Sequence, residues 1–228
     1  MTLDINNLLP QLDRVFDDIE REYRAVPGWI LTEDDLKCIL YNRLISILEL
    51  SQPVRTQDRR IYGTAVHAEV SWFGETRRLC IKPDITIIEP ENMSILHGYV
   101  RHAALHGKRP RPRLQQAPPL PSKQFEFGGK AIIFELKFAR RGMTDAMMRL
   151  IRIDFEKMMG LFEILDRRGE GGGIFGYMVI LNKYRQNLRE LPFAEFMRLH
   201  GSGPRHKILY KTGRLPRPDY GTLVGRRR

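Results

Sequence analysis

The run Ala131-Ile132-Ile133-Phe134-Glu135-Leu136-Lys137-Phe138 decides how this chain is read. Its first four residues are apolar and Gly128-Gly129 precede them, which describes a buried strand entered from a turn. Two charged residues then interrupt it. Side chains at i and i+2 of a strand share a face, so Glu135 and Lys137 point one way and Leu136 the other. A second apolar run, Ile85-Thr86-Ile87-Ile88, is preceded by Pro83-Asp84. If the two strands pair antiparallel, the start of one lies beside the end of the other, and Asp84, Glu135 and Lys137 gather at one end of a sheet. A partly buried, unpaired carboxylate is costly and two together repel, so such a cluster serves to hold a cation. Oxygen donors favour Mg²⁺, with Mn²⁺ as a substitute.

Working outward, residues 4–24 place Leu8, Leu12, Val15, Phe16 and Ile19 at helical spacing, and Pro27-Gly28 ends that helix. Thr32 is positioned to cap the amide of Asp35 and opens a second helix with an acidic first turn, Glu33-Asp34-Asp35. Its apolar face is Leu36, Ile39, Leu40, Leu44, Ile47 and Leu48. Residues 65–73 read as a strand, residues 79–88 as another with Pro83 marking an edge or break, and residues 130–138 as the third. A long helix runs from Thr144 to about Arg167, followed by a fourth strand at 174–181 and a helix starting at Pro192. From Gly201 the chain is basic and rich in Gly and Pro, which predicts a loosely ordered tail.

The order of elements predicts an α/β fold, a mixed central sheet flanked by helices. Residues 1–28 form an N-terminal helical segment and residues 29–190 the core, interrupted at about 91–129 by a basic, proline-rich insertion. Residues 191–228 supply a C-terminal helix and the basic tail.

The charge has a location. Lys and Arg number 38 against 27 acids, a net charge of +11. Residues 97–123 carry six basic and no acidic side chains and residues 201–228 eight and one, so the rest of the chain is close to neutral. Concentrated positive charge suits a polyanion, nucleic acid above all. No apolar run is long enough to span a membrane and no secretory signal is evident. Cys38 and Cys80 read as buried, reduced thiols of a cytoplasmic protein.

Pro83-Asp84 and Glu135-Leu136-Lys137, with Thr32-Glu33 heading the preceding helix and Asp154-Phe155-Glu156-Lys157 in the following one, resemble the PD-(D/E)XK, or restriction-endonuclease-like, nuclease superfamily. The resemblance spans about residues 32–181. It implies a restriction-endonuclease-like core in which Asp84 and Glu135 bind Mg²⁺ with help from the carbonyl of Leu136. Lys137 would orient or help deprotonate the attacking water, its own pKa lowered beside the metal. It makes Glu33 the candidate for a helical acid serving a second metal or a metal-bound water, and Lys157 either a phosphate contact or a solvated i, i+3 partner of Asp154. Glu69 reads as an ordinary outward strand residue. Arg109, Arg111 and Arg113 of the insertion are candidate contacts to nucleic acid, and a homodimer or partner protein would supply specificity. The activity expected is metal-dependent endonucleolytic cleavage of DNA, most naturally double-stranded. The alternatives are the same chemistry on RNA, or a nucleic-acid-binding or assembly module that keeps the fold without catalysis.

Overall fold

The computed structural model describes residues 4–57, 61–73, 79–94, 126–127, 129–167, 173–187 and 193–216. Six strands build the main sheet: β1 (Val66–Ala68), β2 (Ile85–Ile88), β3 (Ala131–Ala139), β4 (Ile174–Tyr184), β5 (Ser202–Gly203) and β6 (His206–Leu215). Their order across the sheet is β5-β6-β4-β3-β2-β1. Strands β3, β4 and β6 are parallel, β2 is antiparallel to both of its neighbours, and β5 is antiparallel to β6. The chain is thus mixed α/β, with helices on both faces.

Helices α1 (Ile5–Ala25) and α2 (Glu33–Ile45) cover one face. Leu8, Leu12, Phe16, Ile19 and Tyr23, recurring every three or four residues along α1, are all buried. They and the α2 residues Leu36, Leu40 and Leu44 share a core with Ile85, Ile87, Ile132, Phe134 and Leu136. Each such side chain contributes about 1.5–3 kcal/mol when taken fully out of water. The other face is covered by α4 (Asp145–Arg167), which follows the single-turn helix α3 (Leu48–Ser51) in chain order. Its Ile151, Phe155, Met158 and Phe162 pack with Ile133, Met178, Ile180 and Ile208. Strict alternation along β3 therefore turns Glu135 and Lys137 toward α4, in line with Ile133. A short helix, α5 (Ala194–His200), precedes β5. No helix among the described residues is long and apolar enough to cross a membrane.

The local signals hold where the sequence is emphatic. Thr32 and Asp35 form a reciprocal capping box at the head of α2. Elsewhere the structure departs from expectation. The strand anticipated at 65–73 is two: β1 joins the main sheet, whereas Trp72–Phe73 pairs with Leu79–Ile81 in a separate ladder. Between them Glu69 adopts φ 54°, a left-handed backbone that side-chain-bearing residues rarely take. The strand anticipated at 79–88 breaks beside it at Pro83, and the Glu69 N–H donates to the Asp84 carbonyl at 3.0 Å, joining the two breaks. Helix α2 ends at Ile45, so Ile47 and Leu48 leave its apolar face; Leu48 is exposed and Leu50 is buried instead. Cys38 is exposed rather than buried, because it lies on the outer side of α2, and Cys80 is half-buried.

The largest correction concerns the C-terminus. Residues 206–215, read as loose tail, form a ten-residue strand paired along its length with β4. It is held by α1, far away in sequence: Lys207 pairs with Asp13 at 2.7 Å, Lys211 with Asp17, and the Thr212 N–H donates to Glu20 at 2.8 Å.

The insertion departs and returns at a short ladder, Met93–Ser94 with Glu126–Phe127. Its three candidate arginines, Arg109, Arg111 and Arg113, lie outside the described residues. The chain re-enters β3 over a buried carboxylate: Glu89 accepts from Asn92 at 2.6 Å and from the Lys130 N–H at 3.0 Å. Gly129 at this corner has φ 145°, and a Cβ there would lie 2.6 Å from Glu89 and Asn92 atoms, so only glycine fits.

Candidate active site

The site is a notch in the sheet. The last paired residues of the β2–β3 ladder are Ile85 and Phe134, yet β3 continues to Ala139. Past Phe134, the margin of β3 that faced β2 has no strand beside it among the described residues. One step beyond the ladder, the register sets Asp84 opposite Glu135, and the Asp84 N–H still donates to the Phe134 carbonyl at 3.0 Å. The amides left over are taken by carboxylates. Asp84 Oδ2 accepts from the Leu136 N–H at 2.8 Å and Glu33 Oε2 from the Phe138 N–H at 3.2 Å. In an antiparallel ladder the N–H and C=O of one residue point the same way, so the Leu136 carbonyl also faces the notch. It accepts from Lys137 Nζ at 3.0 Å.

That ammonium sits among acids. It lies 3.0 Å from Asp154, 3.7 Å from Glu135 and 3.8 Å from Glu33. Asp154, on α4, also holds Lys157 at 2.7 Å. The side chains of Glu135 and Lys137 are 8% and 11% exposed, low enough for charge to matter, while Glu33 at 42% faces the opening. Burial pushes the Glu135 carboxyl up to about 8; Lys137 opposes this, and Asp84 and Asp154 reinforce it. Burial likewise raises Asp84 against the pull of the Leu136 N–H, and raises Glu33. Asp154 is the exception: burial favours its neutral form, but Lys157 and Lys137 outweigh it and lower the pKa. For Lys137, burial opposes the charge, yet Glu33, Glu135 and Asp154 prevail and raise its pKa. Without a metal, the surrounding acids hold Lys137 as an ammonium.

This donor set fits a hard divalent cation. Asp84 and Glu135 offer carboxylates across one ladder step, Leu136 offers a carbonyl, and an ammonium already rests on that carbonyl as an internal counter-cation. Burial holds three of the acids, Glu33, Asp84 and Glu135, above their ordinary range despite Lys137. No group of three or more His, Cys, Asp or Glu spaced to hold a metal occurs among the described residues. The set is two carboxylates and a backbone oxygen, with waters completing the sphere that Mg²⁺ requires.

The structure thus brings together Asp84, Glu135, Leu136, Lys137 and Glu33. It adds Asp154, which sequence reading placed in a motif but gave no role toward Lys137. The available signal was its position next to buried Phe155, which sets it at the margin of the helix's sheet-facing side. Lys157 is exposed and paired with Asp154. Glu69 is more than an outward strand residue: it bridges Lys37 at 3.0 Å and Lys82 at 2.7 Å, and these two lysines depress its pKa to about 2. Part of the C-terminal positive charge is spent internally, for Arg205 grips Asp166 through two hydrogen bonds of 2.8 and 2.6 Å, alongside the pairs of Lys207 and Lys211. Comparison with protein-family models, with curated proteins and with solved structures finds no match for this chain.

Proposed function

We propose that this chain is a metal-dependent nuclease with a restriction-endonuclease-like core, hydrolysing phosphodiester bonds of DNA as an endonuclease. The reading rests on one observation: Asp84, Glu135 and the Leu136 carbonyl meet at a gap in the ladder, with the Lys137 ammonium between them and Asp154. Asp84 and Glu135 would hold Mg²⁺, or Mn²⁺ in its place, with the Leu136 carbonyl as third protein ligand. Bound there, the ion would polarise the phosphate, acidify a water and offset charge developing on the phosphoryl oxygens.

The remaining work falls to side chains. Lys137 donates, and with three anions stabilising its charge in the metal-free protein it would orient the attacking water and steady phosphate oxygens. Glu33, anchored through one oxygen on the Phe138 N–H, has its other oxygen 3.8 Å from Lys137 Nζ, and its half-exposed carboxylate would accept from a water there. Asp154 fixes Lys137 from behind.

Supercoiled plasmid incubated with Mg²⁺ or Mn²⁺ tests the reading. Wild type should relax and linearise it, and Asp84→Ala should leave it intact. Equal cutting by both proteins, or by neither with either metal, removes the nuclease reading. Salt-sensitive binding that survives Glu135→Ala with no cutting would favour the non-catalytic alternative. Faster turnover of a matched RNA would reassign the substrate.

A further inference from the structure

The notch leaves an arginine-rich edge unexplained. Strands β3, β4 and β6 are parallel, so their carboxyl ends share one side of the sheet, the side where ligands of open α/β sheets are received. Arg140 and Arg141 follow β3, Arg185 follows β4, and Arg214 lies at the end of β6, all exposed. Among the described residues none of these four has an ion-pair partner. The acids of α1 neutralise Lys207, Lys211 and Arg24 but do not extend to Arg214.

Here the surface is a built cleft of about 500 Å³, lined by Arg24, Arg185, Gln186, Asn187 and Arg214 among others. Its walls are fixed. Arg24 donates to the Thr212 carbonyl at 2.8 Å and to Thr212 Oγ1 at 2.7 Å, and pairs with Glu20 at 2.8 Å. Gln186 Oε1 accepts from the Met143 N–H at 3.0 Å and from Asn182 at 2.6 Å, tying the turn after β3 to the end of β4. The β4–β6 register shifts between Asn182 and Tyr184. There Gly213 passes so close that a Cβ would fall 2.1 Å from the Lys183 carbonyl oxygen, which brings Arg214 in beside Arg185.

We infer that this cleft, with Arg185 and Arg214 as its ligands, binds a phosphate of the DNA backbone about five base pairs from the one in the notch. The inference takes its substrate from the nuclease reading. Lys137 is level with Ile180, and Ile180 with Tyr210. Arg185 therefore lies about 16 Å further along the strand direction and one strand over, Arg214 about 13 Å along and two strands over. Either route gives about 17 Å, near five base-pair rises of about 3.4 Å. Arg140 and Arg141 stand between the notch and the cleft, so the row follows a continuous backbone rather than an isolated anion. Guanidinium groups suit phosphate because two N–H groups of one fork can donate to two of its oxygens.

The test is anisotropy of a labelled DNA duplex of about 20 base pairs, titrated at several salt concentrations with Ca²⁺ replacing Mg²⁺. Arg185→Ala/Arg214→Ala should weaken binding about tenfold or more near 0.1 M salt and flatten the plot of log affinity against log salt by about 1–2. Arg167→Ala, an exposed charge at the far end of α4, should change neither. A double variant with wild-type affinity and salt slope overturns the inference, as does a wild type that binds no duplex. The two readings separate cleanly. Arginine-dependent binding without cleavage in Mg²⁺ or Mn²⁺ keeps the cleft and removes the nuclease; cleavage unaffected by the double substitution keeps the nuclease and removes the cleft.

Discussion

Replacing Glu135 by Gln should make the metal-free protein more stable while abolishing cleavage. Glu135 titrates near 8 in the folded chain against 4.5 when unperturbed, chiefly because burial disfavours its charge. Its folded pKa is raised, so its stabilising contribution is complete below about pH 4.5 and is lost as pH rises through about 8. Above that window, holding the bare carboxylate costs at most about 5 kcal/mol, and neighbouring Asp84 and Glu33, also raised, push the same way. Gln has nearly the same shape and no charge to desolvate. A gain of even 2 kcal/mol would lift Tm by roughly 4–8 °C in a domain of this size. Thermal unfolding in EDTA at about pH 5 and about pH 8.5 should show the variant close to wild type at the lower pH and clearly more stable at the higher. Mg²⁺ added at the higher pH should raise the wild-type Tm and leave the variant nearly unmoved. A Tm difference independent of pH, or a variant less stable than wild type at the higher pH, refutes the claim that Glu135 is a desolvated carboxylate awaiting a cation.

Other expected outcomes follow from the same geometry. Asp84→Asn keeps a side-chain oxygen for the Leu136 N–H, so unfolding should change by less than about 1 kcal/mol while stabilisation by Mn²⁺, followed calorimetrically, disappears. Asp154→Asn removes the anion closest to Lys137 and should lower kcat about tenfold with KM for DNA little changed; an equal rise in KM would make it a binding residue instead. Gly129→Ala should destabilise the fold by about 1–3 kcal/mol in denaturant unfolding, since φ 145° and the packed Glu89 leave no place for a methyl group. Lys137→Ala should abolish cleavage and leave duplex affinity in Ca²⁺ within about twofold, because the buried ammonium faces acids rather than the exposed edge.

Much of this was legible in the sequence because the information is local. Thr32 with Asp35, the apolar periodicity of α4 and the four apolar residues opening β3 each specify an element within one or two turns of chain. The pairing of β2 with β3 was accessible too, since both are short apolar runs whose charged ends must be reconciled. Strand β6 was not accessible in the same way. His206-Lys207-Ile208-Leu209-Tyr210-Lys211 carries a β-forming centre, but its lysines read as solvated charge until Asp13 and Asp17 arrive from α1. Charge alone cannot say whether its partner is a distant part of the same chain or another molecule. That ambiguity misdirected the reading of the C-terminal segment. The surroundings of Lys137 are likewise non-local: its metal-free pKa depends on three carboxylates from three elements, of which only Glu135 is near in sequence.

The notch itself follows from Pro83. A proline has no N–H to give to a ladder, so β2 cannot extend backward from Ile85 by regular pairing, and the chain turns away where Glu69 adopts its left-handed conformation. Had the ladder run on, another strand's carbonyls would satisfy the amides of Leu136 and Phe138, and the Leu136 carbonyl would be consumed by an N–H. Ending it at Ile85 leaves those three groups without a ladder partner in a buried place, where each demands one. Asp84 and Glu33 meet the donors, and the acceptor is met by the Lys137 ammonium. Proline next to aspartate is thus a geometric instruction as well as a motif: one residue stops the sheet, and its neighbour fills part of the vacancy with negative charge.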